Sequence, residues 1–283
     1  MSAPVKLAGF AAILALVFGV SLALGSAVGP QRDGSDDAAE GHGAMAAMEA
    51  GEHGAAQPVR GLAVSEDGLT LELASTSAPQ GEERQLRFRI TGPDGETVRD
   101  FDREHTKRMH LLVVRRDLSG FQHLHPAQAA DGSWSTPLRL PAAGSYRVFA
   151  DFSHAGEPRT LADDLQVDGT VRSQPLPAPT PTAAVDGMRV RLDSAASHAG
   201  AEDELSFTIS RDGRPVAVED YLGAKGHLVA LREGDLAFLH VHPDEDELRF
   251  IATFPSAGRY RLFLQFQVDG EVHTAAFTRE VQR

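Results

Sequence analysis

The 283-residue chain contains no cysteine. That absence excludes a thiolate nucleophile, a Cys-type structural zinc site, a Cys-ligated iron–sulfur cluster and a blue-copper centre. It excludes disulfides too, so any folded domain must rest on its hydrophobic core. Lysine is confined to Lys6, Lys107 and Lys225, and 27 Lys+Arg against 40 Asp+Glu leave a formal net charge of −13. This balance argues against nucleic acid or an anionic membrane surface as a partner. A Gly-rich phosphate loop, a His-Glu-x-x-His helix and a Gly-x-Ser-x-Gly elbow are also missing, and no general acid or base stands beside the same motif in both halves of the chain. An enzymatic role is therefore not expected.

Charge is absent from Leu7 to Val28, an apolar run of 22 residues. A secretory apolar region spans about 7–15 residues and a membrane-spanning helix needs about 20, so the length favours a transmembrane anchor over residues 1–28. Ala23, Gly25 and Ala27 keep cleavage as a signal peptide open as the alternative. Lys6 precedes the run and Asp33, Asp36, Asp37 and Glu40 follow it. The positive-inside rule then predicts a cytoplasmic N-terminus with the rest of the chain extracytoplasmic, touching the membrane through this helix only. Residues 29–59 are rich in Gly, Ala and acidic residues and read as a flexible tether.

What is present after the tether is a repeat. HLLVV (His110 to Val114), FQHLHP (Phe121 to Pro126) and LPAAGSYRVFADF (Leu140 to Phe152) recur as HLVAL (His227 to Leu231), FLHVHP (Phe238 to Pro243) and FPSAGRYRLFLQF (Phe254 to Phe266). The shared element is His-x12-His-x-His-Pro followed by Gly-x-Tyr-Arg-x-Phe, which indicates duplication of one domain. Period-2 segments such as GLTLELAS and RQLRFRI, with turn signals every 8–12 residues or so, predict strands. The fold class is all-β, with two tandem Ig-like β-sandwich domains of seven or so strands each, residues 60–170 and 184–283. A Pro-rich linker, residues 171–183, holds Pro175, Pro177, Pro179 and Pro181 in extended form. Tyr146 and Tyr260, each two residues after a glycine, read as corner tyrosines.

In a strand, residues i and i+2 share a face, so His123 and His125 project together. With Leu118 and Ser119 at the hairpin tip, Leu112 would face His125, and His110 would lie diagonal to His125 on the same face. Three imidazoles from neighbouring strands could then converge on one metal ion, copper or alternatively zinc, whereas an odd loop length would send His110 to the opposite face; the sequence allows either. The same spacing sets His227 beside His240 and His242. Asp151 is an auxiliary oxygen ligand or orienting group, and His105 and His154 are further candidates. Copy two has Leu222, Val268 and Gln265 at the positions aligned with His105, His154 and Asp151. The bland alternative is a set of core histidines ending a strand. In the tether, His42, Met45, Met48 and His53 present mixed thioether and imidazole groups, a composition suited to collecting copper.

The stretch HLLVVRRDLSGFQHLHP, with GSYRVFADF after it, resembles bacterial secreted or membrane-anchored proteins with small Ig-like sandwiches, similar to YtkA-like and CopC-like domains. The resemblance covers residues 60–282 and implies copper or heavy-metal handling, with His110, His123, His125 and their copy-two counterparts as the functional set. Metal ions are then the expected partners. The alternative is a non-enzymatic interaction module in which the sandwiches contact another envelope protein and the histidines only pack or sense pH, with a metal-dependent enzyme as the less favoured reading. The chain departs from CopC-like proteins in showing no metal-binding histidine at a mature N-terminus.

Overall fold

The computed structural model describes residues 59–243 and 247–283, which form one compact unit. The apolar run Leu7–Val28 and the tether residues His42, Met45, Met48 and His53 lie outside the described residues. Among the described residues there is no helix, and therefore none long and apolar enough to cross a membrane.

Twenty strands divide evenly between the repeats. The first has β1 (Ser65–Glu66), β2 (Leu69–Leu73), β3 (Ser77–Ala78), β4 (Glu83–Thr91), β5 (His110–Arg115), β6 (Gln122–Leu124), β7 (Ala127–Gln128), β8 (Trp134–Arg139), β9 (Gly144–His154) and β10 (Glu157–Val167). The second has β11 (Thr182–Val185), β12 (Met188–Asp193), β13 (Ser197–His198), β14 (Glu202–Arg211), β15 (Arg214–Pro215), β16 (Gly226–Arg232), β17 (Phe238–Pro243), β18 (Arg249–Thr253), β19 (Gly258–Val268) and β20 (Glu271–Gln282). The excess over seven per repeat comes from two-residue edge strands such as β1, β3 and β13.

The two repeats share one strand order. Copy one forms the sheets β1-β2-β4-β8-β7 and β3-β10-β9-β5-β6, and copy two the single path β11-β12-β14-β18-β17-β16-β19-β20-β13. The difference lies in the His-x-His-Pro segment. In copy two, β17 pairs first with β16 (Val229↔His240) and then with β18 (His242↔Ile251). In copy one the same passage breaks at His125-Pro126 into β6 on one sheet and β7 on the other. Proline has no N–H for a ladder, so His-Pro falls where the chain changes sheets.

Strand alternation builds each core. Leu86, Phe88 and Ile90 of β4 point inward with Leu111 and Val113 of β5, while in copy two Leu205, Phe207 and Ile209 join Leu228 and Ala230. Tyr146 and Tyr260 donate their hydroxyls back to Ala142 O and Ser256 O, both at 2.9 Å, closing equivalent corners.

A third apolar cluster lies between the sandwiches. Leu112, Val114 and Phe149 on the outer face of copy one's sheet pack against Val229, Leu231, Phe238 and Phe263 of copy two. The ring contacts are reciprocal. Phe121 stacks on Phe263 with centroids 4.1 Å apart, and Phe238, aligned with Phe121, meets Phe149, aligned with Phe263, at 5.7 Å. Such exchange of roles is what a two-fold relation between the repeats requires. The Pro-rich segment follows this junction: Arg115 donates to Arg172 O at 2.6 Å, Gln174 N donates to Asp117 at 2.8 Å, and Leu176 packs on the apolar cluster.

Candidate metal centre

The β5–β6 hairpin differs from the sequence expectation by two residues. Leu112 faces His123 rather than His125, with Leu111↔Leu124 and Val113↔Gln122 on either side. The chain reverses earlier, in a turn closed by Leu118 N→Arg115 O at 2.8 Å, with Leu118 and Gly120 both at positive φ (65° and 64°). A two-residue shift preserves the face because the side-chain period is two. His110 and His123 therefore still share the outer face of the sheet, and His125, at the corner, turns back toward both.

The three rings converge. Centroids lie 5.2 Å apart for His110–His123, 5.1 Å for His110–His125 and 4.8 Å for His123–His125. One nitrogen from each lies within 4.8 Å of the other two. Zn–N bonds of about 2.0–2.1 Å need nitrogens about 3.3 Å apart in a tetrahedral site, so the group closes on an ion by a small ring movement.

Hydrogen-bond partners assign the tautomers. His110 Nε2 lies 3.3 Å from Glu104 O, which can only accept, so Nε2 carries the hydrogen and Nδ1 a lone pair. His123 Nδ1 lies 2.5 Å from Gln265 Oε1 of the second repeat. Gln265 Nε2 donates to Thr274 Oγ1 at 3.3 Å, which turns the amide oxygen toward His123. With the hydrogen of His123 on Nδ1, its Nε2 is the nitrogen that faces His110 Nδ1, at 3.0 Å. His125 Nε2 is buried with no hydrogen-bond partner. Turning the Gln265 amide would change the tautomer of His123 but would leave the His125 nitrogen as it is. A cation bound by three neutral imidazoles would give that nitrogen a partner, so the residues present fit a borderline transition-metal ion.

Burial, followed by the nearby His110 and His125, pushes the pKa of His123 down to about 3. Burial, then His110 and Lys107, pushes His125 down to about 4. Both rings are neutral ligands at neutral pH.

The remaining candidates separate. Asp151 pairs with His110 across β5–β9 and accepts from Thr160 Oγ1 at 2.7 Å. His105 lies edge-on to His227 at 5.1 Å and to His110 at 6.4 Å. A cavity of about 30 Å³ between the sandwiches is lined by His105, His110, His123, Asp151 and His227, room for about one water. His154 does not join them: its Nδ1 bonds Asp100 O at 2.8 Å, because it falls on the opposite strand face from Asp151. In copy two, His227 Nε2 donates to Tyr221 O at 2.9 Å. Of His240 and His242 the backbone alone is described. Gln265 is a site residue that sequence spacing missed, since nothing local says which residue of one repeat touches a histidine of the other.

The chain belongs to the family of the domain of unknown function DUF8832, which matches it twice, over residues 63–169 and 183–283. No curated protein matches it. Partly similar solved structures include the Escherichia coli adhesin FdeC, 16% identical with a TM-score of 0.28 over 78% of this chain and 66% of that one. Salmonella alpha-2-macroglobulin is 14% identical with a TM-score of 0.29 over 79% of this chain and 15% of that one. The chain spans less than two thirds of either.

Proposed function

We propose that this is a metal-binding protein of two immunoglobulin-like sandwiches that holds a copper ion, or alternatively zinc, through His110, His123 and His125. The observation that carries the reading is the buried Nε2 of His125, left without a partner in a group of three imidazoles whose nitrogens lie within 4.8 Å of one another. An unsatisfied buried polar atom costs about 1–3 kcal/mol, and binding an ion is the function that would compensate it. Imidazole suits both copper and zinc. The Met/His composition of the tether and the resemblance to copper-handling sandwiches favour copper, collected outside the cytoplasm and stored or passed on. An N-terminal anchor would keep that capture at the cell surface. Three protein ligands leave a coordination position for a water or a donor from a delivery partner.

The test is titration of the purified full-length chain with Cu(I), Cu(II) and Zn(II), beside His123→Ala/His125→Ala and a His154→Ala control. At least one tightly bound ion, lost in the double variant and kept in the control, supports the site, and the preferred ion chooses the metal. Equal weak binding by all three chains overturns it. A His240→Ala/His242→Ala variant reports whether copy two holds a second ion.

A further inference from the structure

The triad belongs to the first repeat, yet the nearest contact of its central ring comes from the second. His123 Nδ1 meets Gln265 Oε1 at 2.5 Å across the junction of the sandwiches. Gln265 sits on β19 directly opposite Thr274 of β20, and the Thr274 hydroxyl accepts its amide N–H. Gln265 is itself buried, 7% exposed. The first repeat has the same construction at the aligned positions: Asp151 of β9 opposite Thr160 of β10, joined by a hydrogen bond of 2.7 Å. A polar side chain braced by a threonine across the ladder is thus kept in both repeats, with a different chemistry in each.

We infer that Gln265 is a positioning residue for the metal site, and that the second repeat serves the first by fixing the tautomer of His123. The inference rests on the metal-binding reading above. An imidazole free of Gln265 would place its hydrogen on Nε2 and donate to His110 Nδ1, satisfying both rings and removing two of the three lone pairs from the site. With Nδ1–H held by the amide oxygen, that internal hydrogen bond is unavailable and Nε2 stays open to a cation. Partners of this kind orient metal-bound histidines, and their loss costs typically about 10–100-fold in affinity. The docked junction, anchored by Phe121 on Phe263 and Phe149 on Phe238, is then part of the site: a metal ion bound by copy one stabilises the docked arrangement of both repeats.

The experiment uses the full-length chain labelled at histidine nitrogen. NMR of the metal-free protein reads the His123 tautomer, and Zn(II) and Cu(II) titrations read affinity in wild type, Gln265→Leu, Gln265→Glu and Thr274→Val. Wild type is expected to show His123 as the Nδ1–H form. Gln265→Leu should convert it to the Nε2–H form and weaken binding about 10–100-fold, while Gln265→Glu, which still accepts from Nδ1–H, should restore both. Thr274→Val keeps Gln265 but frees its amide to turn, and should move part of the population to Nε2–H even if Gln265→Leu folds poorly. An Nε2–H tautomer in wild type, or an unchanged tautomer in Gln265→Leu, overturns the inference. If wild type binds no ion, the metal reading falls, and the tautomer shift still decides whether Gln265 sets the ring.

Discussion

His110 and His227, equivalent residues of the two repeats, each hold the backbone carbonyl six positions earlier: His110 that of Glu104 at 3.3 Å, and His227 that of Tyr221 at 2.9 Å. Each carbonyl closes a tight turn, Glu104 paired with Lys107 and Tyr221 with Ala224. Duplication has kept not only the histidine but the turn that fixes which of its nitrogens is protonated. With Nε2 on the carbonyl, it is Nδ1 of His110 that faces His123.

Those turns differ in strain. His105 and Thr106 lie at φ 45° and 70°, where copy two has Leu222 and Gly223 at 54° and 84°. A β-branched residue at positive φ is disfavoured, and glycine relieves it. Thr106→Gly should stabilise the protein by about 1 kcal/mol, within the range for strained backbone positions, as measured by urea unfolding.

Substitution at His125 should separate stability from binding. Removing its unpartnered buried Nε2 relieves the cost of an unsatisfied polar atom and offsets the packing lost with the ring, so His125→Ala in the metal-free protein should change unfolding free energy by less than about 1 kcal/mol. The same change should abolish tight metal binding by removing one of three ligands. His123→Ala, which breaks the contact with Gln265, should lower both. Parallel denaturant and metal titrations would read the two quantities.

Stability of the metal-free protein should fall with acid. His123 and His125 have folded pKa values of about 3 and about 4, below the ordinary value of about 6.5 for an unfolded histidine. Between those limits the unfolded chain binds protons that the folded one does not, so unfolding is favoured as pH falls. The contribution is complete above about pH 6.5 and is lost progressively toward pH 4, at up to about 1.4 kcal/mol per pH unit for His123. Urea melts at pH 7 and pH 5 should show the loss, and His123→Ala should flatten it.

The junction can be opened without unfolding either sandwich. Phe149 lies on the outer face, in the cluster between the sandwiches and not in the core of its own repeat. Phe149→Asp should place an unpaired charge there and separate the repeats, raising the radius of gyration in solution scattering while strand content by circular dichroism is unchanged. Metal affinity should drop as it does for Gln265→Leu, because Gln265 leaves His123 with its sandwich.

The sequence alone determined the all-β class, the repeat and the corner tyrosines, and it offered the convergence of His110, His123 and His125 as one of two hairpin parities, between which the register of β5 and β6 decided. These follow from period-2 patterning and spacing, which act within a few residues, and the convergence survived a hairpin two residues out of register because parity was right. The side on which the histidines look out was decided by tertiary structure. LLVV in β5 and LVAL in β16 do not alternate as other strands do, a pattern of burial on both faces, and it carried the one local sign that each sheet is covered. What covers it was not legible. Gln265 reaches His123 across 142 residues, through two sandwiches docked by aromatic rings, and no periodicity or spacing specifies which faces of two separately closed cores will meet.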